Sequence, residues 1–332
     1  LSILSIIGTY SFNLFCISLF MSPALFILKE SKKNIWVGIF FFIVIVIAYF
    51  YGSFHKIKFK NEDKIIYDYK LRVIGSNINL DRFYSNIDPT LVIEDLIKLS
   101  DPNPNEKTIF VWPEGILPGI SQEKLIEYKT LFDKNFNNNH LLIIGINNNN
   151  DRSKQYFNSL SIYDNDLNLL SFYNKIKLVP FGEFLPLENI LKKIGLKSIT
   201  NNYQSFSSGG VRDIMEINDK NFSLKFLPLI CYEIIYSGNL FNNYNFDLII
   251  NISEDGWFGQ SFGPKQHFIH SVFRAIESGK YILRSSNNGI AGVINPLGEV
   301  EQKINFGKSG YIDFKNIRKI QPTIFSLYGN KI

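Results

Sequence analysis

Lys225–Gly238 reads KFLPLICYEIIYSG. Phe226 to Ile230 form a short apolar run of the length and composition of a buried strand. The run delivers Cys231, Tyr232 and Glu233 together at its end. A strand that stops on polar and nucleophilic side chains points to an α/β layered domain, where loops at strand ends carry the chemistry. Cysteine alone decides nothing, because free thiols are among the most buried side chains. The neighbouring sequence has to separate a core thiol from a nucleophile.

Similar short runs recur on both sides: KLRVIGSNI, TIFVWPEG, LLIIGIN, YFNSLSIYD, FDLIINISED and YILRSSNNGIAGVI. Helical segments lie between several of them. In DPTLVIEDLIKLSD, Asp88 caps a helix that starts at Pro89. In GPKQHFIHSVFRAIESGK, Pro264 stands in the first turn and Gly279 at the end. Strands alternating with helices predict a layered α/β domain over residues 68–320, with some antiparallel strands. NPLG near residue 295 reads as a hairpin turn.

The N-terminal region is different. Residues 1–28 carry no charge, and Ile35–Phe54, IWVGIFFFIVIVIAYFYGSF, is a second uncharged stretch. Roughly 20 apolar residues cross a bilayer. Residues 1–56 therefore read as two transmembrane helices, about 3–28 and 35–54, with a short link. Lys29, Lys32 and Lys33 place that link in the cytoplasm. His55, Lys56, Lys58 and Lys60 oppose this reading, but large domains translocate largely regardless of charge. The domain is thus expected on the outer, periplasmic face.

The 332-residue chain is 45% hydrophobic and carries a formal net charge of +5. That charge suits a protein near anionic lipid and is too diffuse to argue for nucleic acid. Its two cysteines give no disulfide framework. Cys16 falls inside the first apolar span. The Asn-rich FNNNHLL and INNNNDR read as loop filling.

Three groups at strand ends make a complete acyl-transfer set. Glu114 follows TIFVWP, Lys175 sits in FYNKIKLVPFGEF, and Cys231 ends LKFLPLI. A thiol of ordinary pKa, about 8.5, is mostly protonated at neutral pH and needs a base. A buried carboxylate can serve. The tetrahedral oxyanion then needs a positive partner, which an ammonium supplies.

In order, VWPEG, YNKIKLVPFGEFLPLE, LICYEIIY, NISEDGWFGQSFGPKQHF and RAIESGKYILRSSNNGIAGVINPLGEV resemble the carbon–nitrogen hydrolase (nitrilase) superfamily. VPFGEFLP and CYE resemble its apolipoprotein N-acyltransferase branch. The resemblance covers about residues 1 to 320. It implies a nitrilase-like α-β-β-α sandwich behind transmembrane helices. The implied roles are Glu114 as general base, Lys175 as oxyanion lysine and Cys231 as nucleophile. Lys177 is the rival lysine, but the motif lysine directly follows YN. Glu183, Tyr232, Glu233 and Trp257 match supporting active-site positions. The implied reaction moves a fatty acyl chain from a phospholipid to the N-terminal amine of a diacylglyceryl apolipoprotein, through a cysteine thioester. The implied setting is the bacterial inner membrane, multi-pass, with no cofactor, metal or nucleic-acid partner.

The chain departs from the branch pattern at Glu254, where Asn is usual before the Asp. It has no initiator Met, and branch members carry further spans at both ends, so truncation at both ends is expected. His267 and His270 have helical ligand spacing but no third ligand nearby. A Cys–His pair using His267 would leave Glu114 and Lys175 without a role. Two other classes remain open. A membrane-tethered nitrilase-type amidohydrolase would share the triad. A non-catalytic membrane scaffold would not need it intact.

Overall fold

The structure is a computed structural model. It describes residues 1–24, 33–85, 87–117, 119–150, 154–187, 205–238, 240 and 243–331. Two N-terminal helices are long and apolar enough to cross a membrane. Helix α1 spans Leu4–Met21 and α2 spans Lys33–Asn61. The second is 29 residues long, about 44 Å at 1.5 Å per residue. It presents Trp36, Phe42 and Phe50 outward. The two helices run antiparallel. The hydroxyls of Ser5 and Tyr51 lie 2.9 Å apart, and the rings of Phe15 and Phe41 lie 5.9 Å apart. The start of α1 and the end of α2 thus stand together against the domain. The end of the first expected span and the link with Lys29 and Lys32 lie outside the described residues.

Helix α2 runs past the expected Phe54, and the domain begins at once with β1, Lys64–Ser76. The elements that follow are α3 (Pro89–Ser100), β2 (Thr108–Val111), α4 (Lys129–Asp133), β3 (His140–Asn150), β4 (Gln155–Tyr163), β5 (Leu169–Asn174), β6 (Met215–Asn218) and β7 (Ser223–Ile230). The chain continues with β8 (Leu248–Glu254), α5 (Gly263–Ser278), β9 (Tyr281–Asn287), β10 (Ala291–Ile294), β11 (Val300–Ile304), β12 (Gly310–Arg318) and α6 (Ile324–Tyr328). Both predicted helices form where their caps place them. The Asp88 carboxylate accepts from the Thr90 amide at 2.9 Å. Gly279 closes α5 with φ +67°, a left-handed value that favours glycine.

The strands lie in the order β5-β4-β3-β2-β1-β9-β8-β7-β6, with β12 on β1, β10 on β9 and β11 on β10. The central pairings β3–β2–β1–β9–β8–β7 are parallel, and β4, β5 and β6 add antiparallel edges. Side chains alternate between layers, as a period of two requires. Ile109 and Val111 of β2 enter the central core, while Phe110 and Trp112 pack outward under α3. In β8, Ile250 and Ile252 point to the same central core, and Ile249 packs outward under α5. Leu71, Ile143, Phe226 and Ile250, from both halves of the sheet, share that core. The sheet therefore folds back on itself, giving helix, sheet, sheet and helix layers: the α-β-β-α sandwich.

The first nine residues are packed in part into the domain. Leu4, Ser5 and Thr9 are buried. The amide of Thr9 donates to Glu277 Oε1 at 2.7 Å and its hydroxyl does so at 2.6 Å. Helix α1 breaks at Gly8, φ +69°, where the Phe325 ring occupies the space a Cβ would need.

Candidate active site

The C-terminal ends of β2, β5, β7 and β8 bring the candidate residues together. Glu114 follows β2 across Trp112 and Pro113 and is 5% exposed. Lys175 follows β5 and is 1% exposed. Its Nζ lies 3.1 Å from Glu114 Oε1 and 2.8 Å from Glu183 Oε1. Asn158 of β4 completes the ring. Its Nδ2 donates to Glu114 Oε1 at 2.7 Å and to Glu183 Oε1 at 2.9 Å. The second oxygen of Glu114 accepts from the Glu254 amide at 2.8 Å. Burial alone would lower the Lys175 pKa, but Glu114 and Glu183 outweigh it and raise it well above the usual value. The site therefore holds a fixed ammonium at neutral pH.

Cys231 begins a 3-10 turn directly after β7. Its φ is +48°, a left-handed value that costs a side-chain-bearing residue roughly 1–2 kcal/mol. Strain of this kind makes a sharp strand-to-turn elbow. Burial raises the thiol pKa well above its usual value, Glu114 raises it further, and Lys175 opposes both. The resting group is the thiol, so reaction requires proton removal by a neighbouring base.

Glu233, two residues on, is fully buried. Its Oε1 accepts from the hydroxyl of Tyr173 at 2.7 Å and from the amides of Ile176 at 2.9 Å and Lys177 at 3.1 Å. Arg212 pairs with it at 2.6 Å. Its Oε2 accepts from the Ile230 amide at 2.9 Å. Glu233 therefore joins the lysine loop to the cysteine turn. Tyr232 follows Cys231 in that turn, and the Tyr236 ring lies near-perpendicular to its ring, 5.5 Å away. Trp257 lies outside the cluster. It is 54% exposed and packs on Phe83 at 5.1 Å.

A second buried network holds the elbow from behind. Asp255 accepts from Arg284 Nη2 at 2.9 and 2.8 Å and lies 2.8 Å from His267 Nδ1. Burial would raise Asp255, but Arg284 and His267 hold it well below the carboxylate range. His267 Nε2 donates to the Cys231 carbonyl at 3.1 Å. The histidine thus touches the backbone of Cys231, which removes the case for a Cys–His pair. His270 does not share this site; burial, then Arg274, lowers its pKa to about 4.

The unusual Glu254 is buried, and Arg82 is buried against it. Burial raises the Glu254 pKa while Arg82 opposes the shift. Asn287 donates to the same carboxylate at 2.7 Å and the Gly256 amide at 2.9 Å. The extra charge is thereby matched locally, and the backbone amide still reaches Glu114. Arg82, Asn158 and Arg212 escape the sequence reading. Asn158 alone left a signal, as a polar residue among apolar neighbours in YFNSLSIYD.

The sequence pattern of the carbon-nitrogen hydrolase family matches residues 94–322. The chain is 30% identical over 344 aligned residues to the apolipoprotein N-acyltransferase of Bradyrhizobium diazoefficiens, covering 98% of this chain and 62% of that protein. It is 36% identical over 238 residues to that of Rickettsia prowazekii, covering 70% of this chain and 47% of that protein. The chain thus spans only about half to three-fifths of the length of these curated relatives. Among solved structures, a CN-hydrolase superfamily protein from Xanthomonas campestris aligns with TM-score 0.51 at 14% identity, covering 75% of this chain and 91% of that one. An amidase from Nesterenkonia sp. AN1 aligns with TM-score 0.51 at 11% identity, covering 79% and 95%. The family match takes in the strand ends that carry Glu114, Lys175 and Cys231, and the sandwich is the fold of these structures: the chain belongs to the carbon-nitrogen hydrolase family.

Proposed function

We propose that the chain is the catalytic part of an apolipoprotein N-acyltransferase. It moves a fatty acyl chain from a phospholipid ester to the α-amine of a diacylglyceryl-cysteine lipoprotein. The carrying observation is the buried Glu114–Lys175–Glu183 cluster beside Cys231 on its left-handed elbow. The printed names of the curated relatives and the two apolar helices support the acyl-transfer reading.

Glu114 takes the proton of Cys231, and the sulfur attacks the acyl carbonyl of the donor. The Lys175 ammonium, with the backbone N–H of Tyr232, stabilises the oxyanion. As the intermediate collapses, the ester C–O bond breaks and Glu114 returns the proton to the departing lysophospholipid. The acyl group now sits on sulfur as a thioester. The acceptor amine attacks it, loses a proton through Glu114, and leaves as the amide while Cys231 regains its thiol. Glu183 shares Lys175 with Glu114 and keeps the ammonium in place.

Phospholipid alone is expected to add the mass of one fatty acyl group to Cys231, and a diacylglyceryl lipopeptide to discharge it. Intact-protein and peptide mass spectrometry read both steps. Transfer that needs both substrates at once, with no trappable adduct, sinks the covalent route. Steady release of free fatty acid would instead support the amidohydrolase-type alternative.

The domain lies on the periplasmic side of the inner membrane, and the link between α1 and α2 lies in the cytoplasm. The antiparallel helices support opposite faces for domain and link, and the lysines of the link support the cytoplasm for it. A reporter active only in the cytoplasm, fused after Asp63, is expected to stay silent. A signal from it reverses the orientation.

A further inference from the structure

Where α1 meets the domain there is a cavity of about 160 Å³. Its walls include Tyr10 of α1, Tyr236 beyond the cysteine turn and Asn330 near the C-terminus. Lys177, Arg212 and Glu233 supply the charge. Arg212 is matched by Glu233 at 2.6 Å. Lys177 is exposed, pairs with no carboxylate among the described residues, and holds its Nζ 5.8 Å from the Tyr236 ring centroid. Two cations against one carboxylate leave the cavity with one positive charge to offer.

Its depth is informative. Thr9, bound to Glu277, is the last α1 residue tied into the domain by a hydrogen bond among the described residues. Tyr10 is the next residue and is 55% exposed. The cavity therefore opens where an apolar helix leaves the domain, the level at which tyrosines and lipid headgroups meet. Lys177 lies two residues beyond Lys175, and Tyr236 follows the turn that begins at Cys231. Glu233 bonds both loops, so a ligand held here is one loop away from the thiol.

Resting on the acyl-transfer reading above, we propose that this cavity holds the phosphate of the acyl donor's headgroup, with the Lys177 ammonium as its main contact. It would select phosphodiester lipids over neutral glycerides and place the ester near Cys231.

The test uses the membrane-embedded chain in vesicles and follows acyl-Cys231 by mass spectrometry. One donor is a diacyl phospholipid and the other is diacylglycerol, which lacks phosphate. Lys177→Met is expected to lower the rate ratio of phospholipid to diacylglycerol about tenfold, the value of one charge-assisted hydrogen bond. Lys177→Arg should restore most of it. Lys303→Met, which removes an exposed charge on β11, serves as the control and should leave the ratio unchanged. An equal fall with both donors, or the same fall in the control, overturns the proposal. Millimolar inorganic phosphate that displaces the phospholipid in wild type assigns the site to free phosphate and overturns the lipid assignment. Native mass spectrometry supplies a readout independent of chemistry: wild type should retain one phospholipid that Lys177→Met loses. Lipid retention that depends on Lys177 without any adduct sinks the acyl-transfer reading and keeps the phosphate site. An adduct with no dependence on Lys177 does the reverse.

Discussion

Lys175→Met is expected to lower acyl-Cys231 formation by about a hundredfold to a thousandfold and to destabilise the domain. Lys175 is 1% exposed and is shared by Glu114 and Glu183, at 3.1 and 2.8 Å. Methionine fills similar space but leaves the two carboxylates close together in a buried site. Removing one partner of a buried charge cluster costs about 3–5 kcal/mol. The thiol responds with a definite sign. Burial and Glu114 raise it and Lys175 lowers it, so Lys175→Met pushes the thiolate to still higher pH. Glu114→Gln moves it the other way. The rate of alkylation against pH, in a Cys16→Ala background, reads both shifts, and denaturant melts read the stability. A Lys175→Met protein with wild-type stability and an unshifted thiol would mean that the ammonium is not coupled to these groups.

The second large effect is expected at Glu233. Glu233→Ala should lower acylation of Cys231 by about a hundredfold, the scale set by small misplacement of reacting groups. It should also cost about 3–5 kcal/mol by leaving Arg212 buried without its partner. The amides of Ile176, Lys177 and Ile230 and the hydroxyl of Tyr173 lose their acceptor as well. The double change Glu233→Ala with Arg212→Met should recover much of the stability and little of the rate, because the cation is gone but the two loops remain unjoined. Recovery of both together would show that charge, and not the junction, is what matters. Single-turnover acylation and chemical denaturation on wild type, Glu233→Ala, Arg212→Met and the double variant give the comparison.

Much of the architecture was legible because it rests on local rules. Phe226 to Ile230 read as a strand of the buried kind, and Asp88–Pro89 and Gly279 mark helix ends through backbone geometry that any sequence must respect. The strand-end rule picked out Glu114, Lys175 and Cys231, which the fold brings to one place. Partners brought together over long sequence separations were not legible. Arg82 meets Glu254 across 172 positions and Arg212 meets Glu233 across 21, and neither arginine differs by itself from a solvated surface charge. His267 was legible only as a conceivable partner for a cysteine, and coordinates show that it reaches the carbonyl and not the sulfur. Hydropathy also merged two environments at the N-terminus. Leu4, Ser5 and Thr9 are buried by protein, whereas Phe20 and Met21 are exposed, and an uncharged run reads the same in both cases.

The break at Gly8, plugged by Phe325, has a mechanical meaning. Thr9 grips Glu277 on α5, and the same helix carries His267, which holds the carbonyl of Cys231. The route from bilayer helix to nucleophile therefore crosses two side-chain contacts and one stiff rod, with no slack linker between them. A domain mounted this way cannot swing like a buoy on a tether. If α1 and α2 cross a bilayer as proposed, Cys231 rides at one fixed altitude above the hydrocarbon, and the proposed lipid donor must rise to that altitude to be reached. On that proposal, donor choice becomes partly a matter of how far each lipid can be lifted, and membrane thickness is expected to act as a ruler on the reaction.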